Sequence, residues 1–170
     1  LDLNRSSSTV STSYNCAVYA LSKLFPDIDI NVLARELAAY TKDGQTSLYG
    51  IMQIAKKFGL DLIGLELTYE ELMRLGKGTI VHLDLGDGEG HYVVIEDITE
   101  DKVTYWDNGE LKETSREEFE SQWTGYGLAQ EQDSLNNLTT VHSVVAAGST
   151  LTSSGTQIGR ELTDEEMSEI

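Results

Sequence analysis

The sequence predicts an α+β fold in which a block of helices packs against a mostly antiparallel sheet. Up to about residue 58, apolar residues recur at spacings of three and four, as on one face of a helix. From residue 61 onward they occur in short segments bounded by Gly, Asp or Asn, as in strands joined by tight turns. Helices that precede the strands, instead of alternating with them, favour the α+β class, with the helices on one side of the sheet.

Three helices are predicted after a polar lead-in of residues 1–13. The first two have apolar faces with helical spacing, formed by Ala17, Val18, Ala20, Leu21 and Leu24 and by Ile30, Leu33, Leu37 and Tyr40. Phe25 and Pro26 mark the end of the first helix. The third runs from about Ser47 to Phe58, and Gly59 is the residue expected to stop it.

Five short strands follow, with the sequences "LIGLEL", "GTIVHLDL", "HYVVIEDI", "KVTYWD" and "ELKETS". The stretch "TYEELMRL" predicts a short helix between the first two strands. In "SREEFESQW" a Ser is followed three residues later by a Glu, the pattern of a capping box, so another short helix is expected there. The segment "GYGLAQ" is predicted to be a closing strand.

The chain is predicted to contain one domain and a tail. Residues 1–130 form the domain, and residues 131–160 lose the periodicity and indicate a flexible linker. Residues 161–170, "ELTDEEMSEI", predict an amphipathic helix with Thr163 as its N-cap and with Leu162, Met167 and Ile170 as its apolar positions. Because Leu1 stands where an initiator Met would be, we expect a fragment of a longer or processed protein.

The composition excludes several classes of function. Twelve basic residues against 29 acidic ones give a net charge of −17, which argues against binding to a nucleic-acid backbone. No apolar run approaches the length of a membrane span. The single cysteine cannot form an internal disulfide and suits a reducing, cytoplasmic compartment. With the three histidines far apart in sequence, no metal site or other cofactor is expected.

The single cysteine, Cys16, lies where the lead-in becomes the first helix. A thiol is a useful nucleophile as its thiolate, which a helix N-terminus and a nearby imidazole both favour. His91 begins a predicted strand behind a Gly-rich turn, whereas His82 lies within a strand and His142 in the tail. Asp107 ends the next strand, so a hairpin would bring it to the same sheet edge as His91. A buried structural cysteine remains the alternative on these residues alone.

This order of elements resembles the bacteriocin-processing peptidase domain, a papain-like cysteine peptidase found at the N-terminus of ABC exporters that cleaves leader peptides after a double glycine. The similarity covers about residues 9–129, including "GHYVVIED", "DGQTSLYGIMQIAKKFGLDL" and "REEFESQWTGYGLA". The resemblance implies that Cys16 is the nucleophile, that His91 is the general base and later acid, and that Asp107 orients His91. It also implies a papain-like fold and a leader peptide as the substrate, with the export machinery as a further partner.

One departure from the family concerns the oxyanion hole. The family has a glutamine six residues before the cysteine, and Val10 stands at that position here. Ser11, Thr12 and Asn15 are the candidate substitutes, and the loss of one oxyanion donor typically costs about 10²–10³ in rate. "YNCA" and "WDNG" also differ from the family's more usual Asp-Cys-Gly and Asp-Pro. The alternative function is a degenerate peptidase-like module that binds a leader or export substrate without cleaving it.

The tail resembles the leader peptides that this family cleaves. Such leaders are short amphipathic helices with apolar residues at positions −4, −7 and −12 from the cut. With Ile170 at −4, Met167 falls at −7 and Leu162 at −12. Any amphipathic terminal helix could give this spacing, but its presence beside a peptidase favours a leader. We expect the tail to dock in cis or in trans on a peptidase domain, as a substrate of that domain.

Overall fold

Residues 14–58 of the described chain contain three α-helices, each of which begins at a side-chain cap. The computed structural model describes residues 14–86, 90–130 and 158–170. The helices are α1 (Cys16–Leu24), α2 (Ile30–Leu37) and α3 (Leu48–Lys57), with Asn15, Asp29 and Ser47 as their N-caps. Gly59, with φ of 95°, follows the end of α3 as the sequence indicates. The predicted second helix was too long, because a 3₁₀ turn over Ala38–Tyr40 replaces its last turn.

A short ribbon that the sequence did not predict lies between α2 and α3. It consists of β1 (Thr41–Lys42) and β2 (Gln45–Thr46), which pair antiparallel around Asp43 and Gly44. Both turn residues have positive φ, 55° and 79°, which matches the two-residue hairpin turn that Asp-Gly favours. Strands of two residues are too short to give an alternating pattern, so only the Asp-Gly pair signals this hairpin.

The remaining strands form one sheet in which every neighbouring pair is antiparallel. They are β3 (Leu62–Glu66), β4 (Ile80–Asp84), β5 (Gly90–Ile98), β6 (Lys102–Asp107), β7 (Glu110–Ser115), β8 (Trp123–Gln130) and β9 (Arg160–Glu161). The order is β7-β6-β5-β4-β8-β3-β9. The predicted closing strand, β8, is therefore inserted between β4 and β3. Helices α4 (Tyr69–Leu75) and α5 (Arg116–Gln122) complete the domain, and α6 (Asp164–Glu169) lies in the tail.

Helices cover both faces of the sheet, whereas the sequence analysis placed them on one. One core lies between α1–α3 and the face that carries Ile80, Tyr92 and Val94. The second core lies on the opposite face, where α4 and α5 contribute Leu72 and Phe119. The central strands are apolar on both sides, and each apolar face must be buried. Within the described residues, no helix has the length and apolar character needed to cross a membrane.

The tail packs against the edge of the sheet. Strand β9 pairs antiparallel with β3, and the Leu162 N–H donates to the Gly64 carbonyl at 2.8 Å. The sequence predicts that residues 158–160 belong to the linker. Instead Ile158 is buried, with 5% of its surface exposed, because it belongs to the second core, which also contains Tyr69 and Leu72 of α4. The rest of the predicted linker, residues 131–157, lies outside the described residues.

Candidate active site

Cys16 is the first residue of α1, and its thiol is partly exposed. The N-cap residue Asn15 accepts a hydrogen bond from the Val18 N–H at 3.1 Å, which fixes the first turn. The backbone N–H groups of a first helical turn have no partner within the helix, so they face whatever lies at its N-terminus. Cys16 therefore lies at the positive end of a helix, where backbone N–H groups are suited to stabilise an oxyanion.

His91 and Asp107 lie at the same end of two neighbouring strands of the sheet. His91 is near the start of β5 and Asp107 ends β6, and these neighbouring antiparallel strands bring the two side chains together. The His91 Nε2 lies 2.8 Å from the Asp107 Oδ1, and the side chains are only 15% and 16% exposed. The turn after Asp107 uses positive φ at Asn108 and Gly109, 50° and 87°, as in a two-residue hairpin. The carboxylate is thus held at the strand end by a tight turn.

The Cys16 thiol is close enough to His91 to raise the pKa of its imidazole. The interaction with Cys16 is the largest cause of this rise, and the carboxylate of Asp107 raises the pKa further, while burial opposes both. Because Nε2 is bonded to Asp107, Nδ1 is the ring nitrogen that remains for the thiol. The structure therefore brings together the thiol, imidazole and carboxylate that the sequence predicted as a catalytic set.

Asp107 has a second partner that the sequence analysis missed. The Lys112 Nζ lies 3.1 Å from the Asp107 Oδ2, and the ammonium group is about half exposed. The hydrogen bond with Asp107 raises the pKa of Lys112. Only the register of the β6–β7 hairpin, in which Tyr105 pairs with Lys112, places this ammonium near the carboxylate. The Asn-Gly turn was the available signal, since it fixes that register.

His82 is not part of this group of side chains. His82 lies on β4 with 9% of its surface exposed, and its Nδ1 is 3.0 Å from the Thr124 Oγ1. Burial lowers the pKa of His82 to about 4, so its imidazole is neutral near pH 7. His142 lies outside the described residues.

The predicted oxyanion donors are only partly placed. Ser11 and Thr12, like Val10, lie outside the described residues. The Asn15 amide donates to the Thr46 Oγ1 at 2.8 Å and, more weakly, to the Gly44 carbonyl at 3.4 Å. Both of its hydrogens thus have acceptors in the ribbon, which leaves none for an oxyanion. The backbone N–H of Cys16, in the first turn of α1, remains a candidate donor among the described residues.

A groove of about 1280 Å³ runs from the tail to the beginning of β5. Its walls are the β1–β2 ribbon, the ends of β4 and β5, and the last turn of the tail, which contributes Glu166, Ser168, Glu169 and Ile170. Gly90, the residue before His91, lines its other end. Four carboxylates and one ammonium border the groove: Asp43, Asp84, Glu166, Glu169 and Lys42. Neither Cys16 nor His91 lines the groove itself, and Gly90 is the lining residue next to His91 in sequence.

The leader-like positions of the tail are in contact with the domain. Leu162 and Met167 are 4% and 3% exposed, and partly buried Ile170 packs against the same core. Gly64 on β3 makes room for them, because a Cβ at that position would lie 2.4 Å from the Met167 Sδ. Arg160 joins this contact through ion pairs with Glu66 and Glu166, at 3.0 and 3.1 Å.

A comparison with protein families matches residues 7–134 to the peptidase C39 family. The chain belongs to the peptidase C39 family. C39 peptidases are cysteine peptidases, and the cleavage of double-glycine leader peptides is the function of the family. The match spans the helices α1–α3 and the sheet as far as β8, so the family assignment covers the thiol, imidazole and carboxylate described above.

Solved structures of such domains have the same fold. The peptidase domain of Streptococcus ComA, a bi-functional ABC transporter involved in quorum sensing, is 26% identical, with a TM-score of 0.55 over 69% of this chain and 93% of that chain. A double glycine motif protease from an AMS/PCAT transporter, in complex with its leader peptide, is 19% identical, with a TM-score of 0.58 over 68% and 82%. No curated protein matches the chain.

Proposed function

We propose that this C39 domain is an active endopeptidase that cleaves leader peptides after a double-glycine site, with Cys16 as the nucleophile. His91 is its general base and later its acid, and Asp107 orients His91. The observation that carries the proposal is the position of His91, whose Nε2 lies 2.8 Å from the Asp107 Oδ1 and whose pKa is raised by the nearby Cys16 thiol. The free thiol suits a reducing compartment such as the cytoplasm.

The geometry supports a two-stage reaction. His91 Nδ1 takes the proton of the Cys16 thiol, and the thiolate attacks the carbonyl carbon of the scissile peptide bond. The resulting oxyanion accepts a hydrogen bond from the Cys16 N–H. His91 then gives its proton to the leaving amine, and a thioester remains on Cys16. Water, deprotonated by His91, releases the leader as a carboxylic acid, and Asp107 stabilises the imidazolium in each stage.

Alkylation of Cys16 tests the catalytic assignment directly. Because this is the only cysteine, the mass of the intact protein reports its modification alone. We expect rapid labelling by iodoacetamide at neutral pH, and a much lower rate in His91→Ala. Labelling of the parent at the rate of a simple thiol, or only after unfolding, would contradict the assignment. A domain that labels rapidly and binds a double-glycine leader, yet leaves it intact, would be the non-cleaving module instead.

We further propose that residues 161–170 are a leader-like segment that this domain processes. Support comes from the docking of Leu162, Met167 and Ile170 at the spacing of a leader, and from Ile170, which also lines the groove. A peptide that continues from Ile170 along the groove approaches Gly90 and therefore His91. A tethered segment reaches effective concentrations near the millimolar range, so even weak docking is populated.

An extended chain tests this second proposal. Ser-Gly-Gly and a reporter peptide are added after Ile170, so that the double glycine occupies positions −2 and −1. We expect mass spectrometry under reducing conditions to find cleavage after the second Gly, and none in Cys16→Ser. Met167→Asp should slow cleavage because it places a charge in the docking contact, whereas Glu165→Gln, on the exposed side of α6, should not. An extended chain that stays intact while the added leader of another protein is cut would exclude self-processing.

A further inference from the structure

The candidate nucleophile and base lie on different elements, α1 and β5, and strand β2 of the ribbon contacts the neighbours of both. Asn15, directly before Cys16, is bonded to Thr46. Gly90 and Tyr92, on either side of His91, are bonded to Gln45 and Thr46. We propose that Thr46, assisted by Gln45, is a positioning residue that fixes the distance and orientation between Cys16 and His91. The proposal rests on the catalytic roles proposed above.

The contact with α1 is a directed chain of hydrogen bonds. Asn15 Nδ2 donates to the Thr46 Oγ1 at 2.8 Å, and the Thr41 Oγ1 lies 2.6 Å from the same oxygen. Thr41 donates its own hydroxyl proton to the Leu37 carbonyl at 2.8 Å, so the proton between the two hydroxyls belongs to Thr46. The chain therefore runs from Asn15 through both threonines to helix α2, and bonds in such a chain strengthen one another.

The contact with β5 holds the backbone on both sides of His91. Tyr92 Oη donates to the Thr46 carbonyl at 2.8 Å, and this bond is buried. The Gly90 N–H donates to the Gln45 Oε1 at 3.3 Å. Within the described residues, β2 is therefore hydrogen-bonded to Asn15, the neighbour of Cys16, and to Gly90 and Tyr92, the neighbours of His91. A displacement of β2 would move the thiol and the imidazole relative to each other.

The ribbon is itself held firmly, which a positioning element requires. Thr46 is buried, with 5% of its surface exposed, and the next residue, Ser47, caps α3 by accepting from the Gly50 N–H. The Asp43-Gly44 turn sets the register of the two strands. A buried polar network of this kind stabilises any fold, so the positioning role needs a readout other than stability.

Thr46→Val tests the role with a nearly isosteric change that removes the hydroxyl and keeps the carbonyl bonded to Tyr92. We expect the rate of Cys16 alkylation by iodoacetamide, and kcat on a leader peptide, to fall about 10-fold, since small displacements of reacting groups are costly. Thr79→Val is the matched control, because Thr79 is also buried, at 3%, and donates to the Gly76 carbonyl at 2.8 Å. Thr46→Ser, which keeps the hydroxyl, should restore the rate.

Two results would overturn the positioning role. One is an unchanged alkylation rate in Thr46→Val, and the other is an equal loss in Thr79→Val at an equal loss of thermal stability. If Thr46→Val does not fold, Tyr92→Phe removes the second bond instead and should lower the rate in the same direction. If His91→Ala leaves the rate of Cys16 alkylation unchanged, the catalytic assignment itself is contradicted, so the two failures are distinguishable.

Discussion

At the scale of single residues, Asp107 is shared between two basic side chains. One carboxylate oxygen faces the His91 imidazole and the other faces the Lys112 ammonium, at 2.8 and 3.1 Å. A carboxylate that is partly neutralised by Lys112 stabilises the imidazolium less than a free carboxylate does. Lys112 therefore lowers the charge that Asp107 presents to His91 while it holds the carboxylate in place.

Lys112→Met is expected to move the alkaline limb of the pH–rate profile for Cys16 alkylation to higher pH. The pKa of His91 is already raised by Cys16 and Asp107, and removal of the ammonium raises it further. The change is small, because exposed ion pairs are worth about 0.2–1 kcal/mol. Lys102→Met is the control, since Lys102 pairs with Glu113 on the same hairpin and is equally exposed. A shift to lower pH, or the same shift in the control, would contradict this division of charge.

The buried imidazole of His82 is expected to make the fold less stable in acid. Its pKa is about 4 in the folded protein, below the ordinary 6.5, so between these values the unfolded chain binds more protons. The contribution of His82 to the free energy of unfolding is therefore fully present above pH 6.5, and it falls by up to about 3 kcal/mol toward pH 4. His91, with its raised pKa, contributes in the opposite sense, and its contribution is lost as the pH rises.

Urea unfolding of the parent and of His82→Gln over this pH range separates the two effects. Gln does not titrate and retains an amide donor for Thr124, and the His91 contribution is common to both proteins. The difference in unfolding free energy should therefore shrink from pH 7 to pH 4. If the unfolding free energies of the two proteins change in parallel with pH, burial does not lower the pKa of His82.

At the scale of elements, the sequence correctly predicted the helix boundaries that depend on neighbouring residues. The capping residue Ser115 and the stop at Gly59 lie where the sequence placed them, because caps and stops depend on neighbouring residues only. The position of β8 inside the sheet depends on strand pairing between distant residues, whereas the contact of Lys112 with Asp107 lies within one hairpin, whose Asn-Gly turn signals it. His91 and Asp107 could be paired in advance because a single hairpin joins their strands.

The sequence did not predict the surface on which the tail docks. In the structure, Gly64 lies on that surface and leaves room for Met167. Gly64→Ala is expected to release the tail, because the added Cβ would lie 2.4 Å from the Met167 Sδ and 3.2 Å from its Cγ. Hydrogen exchange at the amides of Leu162 and Met167, which donate to Gly64 and Thr163, measures the release.

The partner residue provides the control for this prediction. Met167→Ala removes the clashing atoms, so Gly64→Ala should have a much smaller effect in that background than in the parent. The rate of Cys16 alkylation should be unchanged in all these variants, because β3 does not contact α1 through Gly64. Equal effects of Gly64→Ala in both backgrounds would show that the glycine serves the strand rather than the tail.

At the scale of the whole molecule, charge and connectivity determine whether the tail is processed by its own domain. Each chain has a net charge of −17, so two copies repel one another at low ionic strength. Tail and domain of a single chain are already joined, and their contact includes the Arg160 ion pairs with Glu66 and Glu166. Repulsion between copies thus slows the trans encounter while the cis contact is unaffected.

Cleavage of the extended chain is therefore expected to follow first-order kinetics, with a half-time that stays constant over a 100-fold dilution. Added salt should leave this rate nearly unchanged, because a tethered substrate needs no encounter between like-charged molecules. A mixture of the extended Cys16→Ser chain with the unextended parent measures the trans reaction, which should be slower and should accelerate with salt. A rate proportional to protein concentration, with the trans mixture equally fast, would assign the tail to the groove of a second copy.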